Sequence, residues 1–199
     1  METARRKIVA AALAALAAVA CRGREPAPAL TLAPGNVEVL VDAKAFPATR
    51  FAVQELTNFL SRAFAARVPV VHEPTAGLVQ IVVGDNAWSR AEGLDPDSLG
   101  KDDAFIICAT TNRLYLCGVD GDYRWYVDVI NEGRGGVGMM QGRRSSSFAV
   151  YEFLERYADC RFYWPGELGE IVPRTSAVSV PLGETRHLPD MIIRRYYHP

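Results

Sequence analysis

The stretch FAVYEFLERYADCRFYWPGELGEIVP, residues 148–173, decides the fold. Val150, Phe153, Leu154 and Tyr157 recur at the spacing that lines one face of a helix, and Glu152, Glu155 and Arg156 take the other side. This helix is expected to end near Ala158–Asp159, and the run Cys160-Arg161-Phe162-Tyr163-Trp164 then reads as a short aromatic strand. Pro165-Gly166 breaks it, because proline lacks the ladder donor and glycine accepts positive φ. A second extended segment follows from Glu170.

Upstream, Val37 to Val41 alternates and is rich in valine, which predicts a strand. Pro47 suits a first helical turn, and Thr49 is a candidate N-cap. From Arg50 to Ala66 the apolar residues Val53, Leu56, Leu60, Ala63 and Phe64 form one helical stripe. Val68 to Val71 reads as extended, and Pro69 places it at an edge. Val79 to Val83 has the apolar run of a buried strand. Asn86 to Gly100 reads as a short helix and a loop. Asp103–Ala109 and Arg113–Gly118 pair as strands around Thr110-Thr111-Asn112. Counting from that turn, Cys108 and Cys117 share a face without lying opposite each other, so both read as small buried hydrophobes. Tyr123 to Val127 could extend a strand, and the Gly-rich segment 131–144 reads as a loop. A final strand is expected within Glu170–Val180, with Leu182–Leu188 leading onward. Strands outnumber helices and the hairpin is antiparallel. The expected fold class is therefore α+β, a two-layer sandwich in which a mixed β-sheet carries two helices packed on one face.

The 199 residues are 49% hydrophobic and 23% charged with net charge −1, which suits a globular domain and gives no electrostatic argument for nucleic acid. The first residues stand apart. Arg5-Arg6-Lys7 is a positive n-region, and Ile8–Ala20 is an apolar run too short to span a bilayer comfortably. Ala18-Val19-Ala20 is a cleavage signal with Cys21 directly after it, so residues 1–21 read as a secretory signal. The cysteine is placed as in a bacterial lipobox, although Ala18 stands where leucine is usual. Residues 22–35, rich in Pro and Ala, would be a tether. The expected localisation is the bacterial periplasm or cell surface, either lipid-anchored with Cys21 as the lipidation site, that lipid then being the sole membrane contact, or freely secreted.

The helix AVYEFLE followed by CRFYWPGELGEIVP resembles the N-terminal accessory domain of α-glucuronidase-like and β-hexosaminidase-like glycoside hydrolases. The resemblance covers most of the chain from about Val37 and is diffuse outside this stretch. It implies an accessory domain over 36–184 and a lead-in to a catalytic barrel over 185–199, with the chain stopping as the barrel begins. By that resemblance Arg194 matches an arginine at the mouth of the first barrel strand, where it touches sugar hydroxyls. Tyr163 or Trp164 would border the sugar cleft, the other expectation for these rings being core and interdomain packing. Glu167 and Glu170 would shape the join to the barrel.

Other chemistry is thinly represented. Gly133-Arg134-Gly135-Gly136-Val137-Gly138 fits G-x-G-x-x-G, but dinucleotide binding needs a helix opening at the third glycine, and Met139 to Ser147 is a poor start for one. Glu152 and Glu155 sit on the polar side of one helix, as a solvated face does. His72, His187 and His198 are scattered without ligand spacing, so no metal and no cofactor is expected. Ser145 to Ser147 has no base at a known motif spacing. The expected function is that of a non-catalytic domain of an exported glycoside hydrolase, meeting its glycan substrate through the barrel and carrying no complete catalytic site. The alternative is a stand-alone exported lipoprotein that binds a carbohydrate or a partner.

Overall fold

The computed structural model describes residues 27–101, 103–121, 143–164 and 166–190. Its centre is a six-stranded mixed sheet. In chain order the described elements are β1 (Ala29–Leu32), β2 (Val37–Leu40), α1 (Pro47–Phe64), β3 (Val70–Val71), β4 (Val79–Val83), α2 (Ala87–Ala91), β5 (Phe105–Ala109), β6 (Arg113–Gly118), α3 (Ser145–Tyr157), β7 (Arg161–Phe162), β8 (Glu170–Ile171), β9 (Val178–Pro181) and β10 (Gly183–His187). The sheet order is β10-β5-β6-β4-β2-β3. Strands β3, β2, β4 and β6 run parallel, and β5 and β10 are antiparallel to their neighbours. This is the expected α+β class, with β3 at the predicted edge.

Both long helices pack on one face of the sheet. The predicted α1 stripe of Val53, Leu56, Leu60, Ala63 and Phe64 is buried, as are Val150, Phe153 and Leu154 of α3, and all but Ala63 belong to one apolar cluster with Val39, Ile81, Ile107 and Leu116 of the sheet. The opposite face is covered too. Leu40, Val82, Ile106, Tyr115, Cys108 and Cys117 pack beneath Trp88, Leu94 and Leu99 of the α2 segment. Tyr115 is fully buried there, and its hydroxyl donates to Glu92 Oε2 at 2.8 Å. Cys108 lies opposite Tyr115 and Cys117 opposite Ile106, so the thiols share a face diagonally and are free, as their register predicts.

Several boundaries move. Residues 29–32, expected within a tether over 22–35, form β1 against β9, with Leu30 beside Val180 and Leu32 beside Val178, all four buried. The Leu30/Leu32 alternation supplies core that the Pro/Ala composition conceals. The stretch from Leu182, expected as a connection, forms β10 along β5, so the folded unit runs to His187 rather than stopping at residue 184. The single strand expected over 170–180 is two, β8 and β9, separated by an irregular segment containing Pro173. Helix α1 begins at Pro47 with Phe46 as its cap residue, and Thr49 lies inside the first turn rather than capping it. Helix α3 begins at Ser145, so the serine run is its first turn.

Candidate functional site

The aromatic segment after α3 is a β-hairpin standing against both long helices. Cys160 is fully buried, and its amide donates to Leu154 O at 3.0 Å, which turns the chain out of α3. Phe162 then packs edge-on against Phe59 of α1 and Tyr151 of α3, with centroids 4.9 and 5.0 Å away. β7 pairs with β8 through Arg161–Ile171 and Phe162–Glu170. The Tyr163 amide donates to Gly169 O at 2.8 Å, and the Gly169 amide to Gly166 O at 2.9 Å. Gly166 takes φ +88°, and a Cβ on Gly169 would lie 2.1 Å from the Trp164 carbonyl oxygen, so both glycines are required by the tip. Arg62 of α1 binds Glu170 Oε2 at 2.6 Å, tying the outer strand down.

This framework holds an aromatic pair in the open. Tyr163 is 71% and Trp164 73% exposed, with Leu168 and Ile171 exposed beside them on the hairpin. Of the two expectations for these rings, core packing is taken by Phe162 alone. Between the hairpin, α1 and α3 lies a groove of about 430 Å³, with Glu55, Tyr151, Glu155 and Glu170 among the residues that line it. The Tyr151 hydroxyl donates to Glu55 Oε2 at 2.5 Å. Burial, followed by Glu55 and Glu170, pushes that phenol far above its ordinary range.

Sequence reasoning missed the residue that joins the two helices. Asp120, just beyond β6, is buried; its Oδ2 accepts from Thr49 Oγ1 at 2.6 Å and its Oδ1 from the Ser146 amide at 3.0 Å. It therefore caps α3 from outside the helix, while Thr49 spends its hydroxyl on Asp120 instead of on α1. Burial pushes the Asp120 carboxyl above its ordinary range, and the hydrogen bonds from Thr49 and Ser146 oppose that shift. An aspartate after a strand, followed far downstream by a serine run, carries no local spacing signal.

The remaining candidates are dispersed. Glu152 pairs with Arg156 at 3.5 Å on the surface of α3. His72 Nδ1 lies 2.9 Å from Val41 O, and His187 stacks on Phe105 at 4.5 Å. Among the described residues no group of three His, Cys, Asp or Glu side chains could hold a metal ion. Ser146 Oγ donates to Gly118 O at 3.3 Å, so its hydroxyl is engaged with the backbone. Cys21, Arg194, His198 and the 133–138 glycine motif lie outside the described residues.

No family model matches the sequence, and no curated protein matches it. Solved structures do match. BtGH115A, a family GH115 4-O-methyl-α-glucuronidase with specificity for decorated arabinogalactans, superposes with a TM-score of 0.51 at 13% identity, over 82% of this chain and 19% of its own. The likeness is one of fold. CpGH84D matches with a TM-score of 0.39 at 11% identity, over 79% of this chain and 22% of its own. The chain thus spans about one fifth of the length of these solved chains.

Proposed function

We propose that this chain is the non-catalytic N-terminal domain of an exported, glycan-degrading glycoside hydrolase, where it packs on a catalytic barrel and forms one wall of the glycan cleft. The observation that carries this reading is the exposed pair Tyr163 and Trp164, held on a hydrogen-bonded hairpin at one side of the core. Flat aromatic faces suit the C–H faces of sugar rings. The fold likeness to a glucuronidase chain over a fifth of that chain's length supports it. So does the employment of Glu170 in an ion pair and Glu55 in a hydrogen bond, which ties these carboxylates to the scaffold. In this reading Arg194 reaches sugar hydroxyls at the mouth of the barrel, and Cys21 carries the lipid of an exported lipoprotein.

Reading the coding sequence past Pro199 tests the proposal: an open frame for a barrel, directly or after one frameshift, is expected, and its absence overturns it. Palmitate labelling in cells, lost in Cys21→Ala, tests the export arm. The same exposed aromatics favour one second reading, a stand-alone exported carbohydrate-binding protein. A native stop after Pro199, together with glycan binding that Trp164→Ala abolishes, would select it.

A further inference from the structure

The groove beside the hairpin has a charge character that its aromatic rim does not announce. Glu55 from α1, Glu155 from α3 and Glu170 from β8 all line it, and no Lys, Arg or His is among the described residues lining it. Glu170 is neutralised from outside the groove by Arg62, and Glu55 accepts from Tyr151. The Glu155 carboxylate makes no hydrogen bond or ion pair among the described residues, and Arg161 donates to its backbone carbonyl instead. Burial first, and then Glu55 and Glu170, push the Tyr151 phenol up, in keeping with carboxylates at its side.

These features sort ligands by charge. Carboxylates accept hydrogen bonds from sugar hydroxyls and pair with ammonium groups. They repel a uronate, and a site becomes selective as much by what it repels as by what it holds. A cation beside Tyr163 and Trp164 would also be drawn by the ring faces. The groove volume falls within the range of small-ligand sites.

We propose that this groove binds glycans whose sugars carry no acid group, amine-bearing sugars most tightly, with a ring on Trp164 and the amine or hydroxyls on Glu155. The inference rests on the hairpin facing a glycan and adds which glycan class it admits.

Binding of the full chain to three oligosaccharide sets of matched length, neutral, amine-bearing (chitosan oligomers) and acidic (oligogalacturonates), tests it by calorimetry and tryptophan fluorescence. Amine-bearing oligomers are expected to bind tightest, and acidic ones at least roughly tenfold more weakly than neutral ones. Trp164→Ala should weaken the first two sets about tenfold or more with an unchanged melting temperature. Glu155→Gln should erase the amine preference and bring the acidic set to within about threefold of the neutral. Acidic oligomers binding as well as neutral ones, or no oligomer binding the folded wild type, overturns the inference. The outcome is separable from the proposed function: a barrel reading frame with no glycan binding sinks only the groove, and binding without a barrel sinks only the accessory role.

Discussion

Asp120 shows how much one side chain can carry. It holds Thr49 of α1 and the first turn of α3 with its two oxygens, inside the protein. Asp120→Ala would leave a buried hydroxyl and a buried amide without partners, which costs about 1–3 kcal/mol for each group. A drop in urea midpoint at unchanged m-value would record it. Asp120→Asn keeps an acceptor and removes the charge, which separates bonding from ionisation. Because burial raises this carboxyl in the folded state, the folded protein holds the proton more tightly than the unfolded chain. Stability from this group is therefore greatest below the ordinary aspartate range and declines as pH rises through the raised value. The wild-type stability minus that of Asp120→Asn should fall across this interval and level off above it; a difference that rises with pH would contradict the assignment. At the hairpin the expectation is opposite in kind. Trp164→Ala removes an exposed ring, so unfolding free energy should stay within about 0.5 kcal/mol of wild type.

At the scale of elements, two glycines set how closely pieces approach. A Cβ on Gly118 would fall 2.3 Å from the Ser145 carbonyl carbon, so β6 and the start of α3 touch backbone to backbone. Gly118→Ala should cost about 1–3 kcal/mol or more, as overpacking does, and calorimetry of the purified variant checks it. Gly169→Ala should leave the main melt in place but loosen the tip, read as faster exchange of the Tyr163 amide. The elements that were legible in sequence are those whose pattern their own burial dictates. The α1 and α3 stripes and the strands around Val39, Ile81, Ile107 and Leu116 were readable because one core claims them all. β10 was not, because Gly183–His187 lies at the sheet edge, mostly exposed, and displays no apolar alternation. Glu38 gives no signal of its own within a valine strand, yet it is buried, and accepts from the Thr75 amide at 2.7 Å and from Gln80 Nε2 at 3.3 Å. The break at Pro165-Gly166 between two extended segments was legible, but not their pairing as a hairpin or its outward display of Tyr163 and Trp164, since an aromatic run reads alike inside and outside a core.

For the whole molecule, the first described strand matters more than its composition suggests. Leu30 and Leu32 reach the common core, and β1 pairs with β9 along its full length. Deleting everything before Gly35 exposes both leucines' partners, Val178 and Val180, and forfeits about 1.5–3 kcal/mol for each leucine. That variant should lose most of its cooperative unfolding transition, whereas a chain beginning at residue 27 should keep it. Under the proposed lipid anchor at Cys21, the tether would have to end before β1.

Among the described residues, three buried free thiols have a use that follows from their positions. Cys108 and Cys117 lie between the sheet and the α2 segment, and Cys160 under the hairpin, each with its thiol pushed up by burial, Cys108 to about 11. A thiol held protonated in a dry site reacts with an alkylating reagent only when its surroundings part. The two regions thus carry native timers, and the order in which iodoacetamide marks them reports which layer of the molecule lets go first.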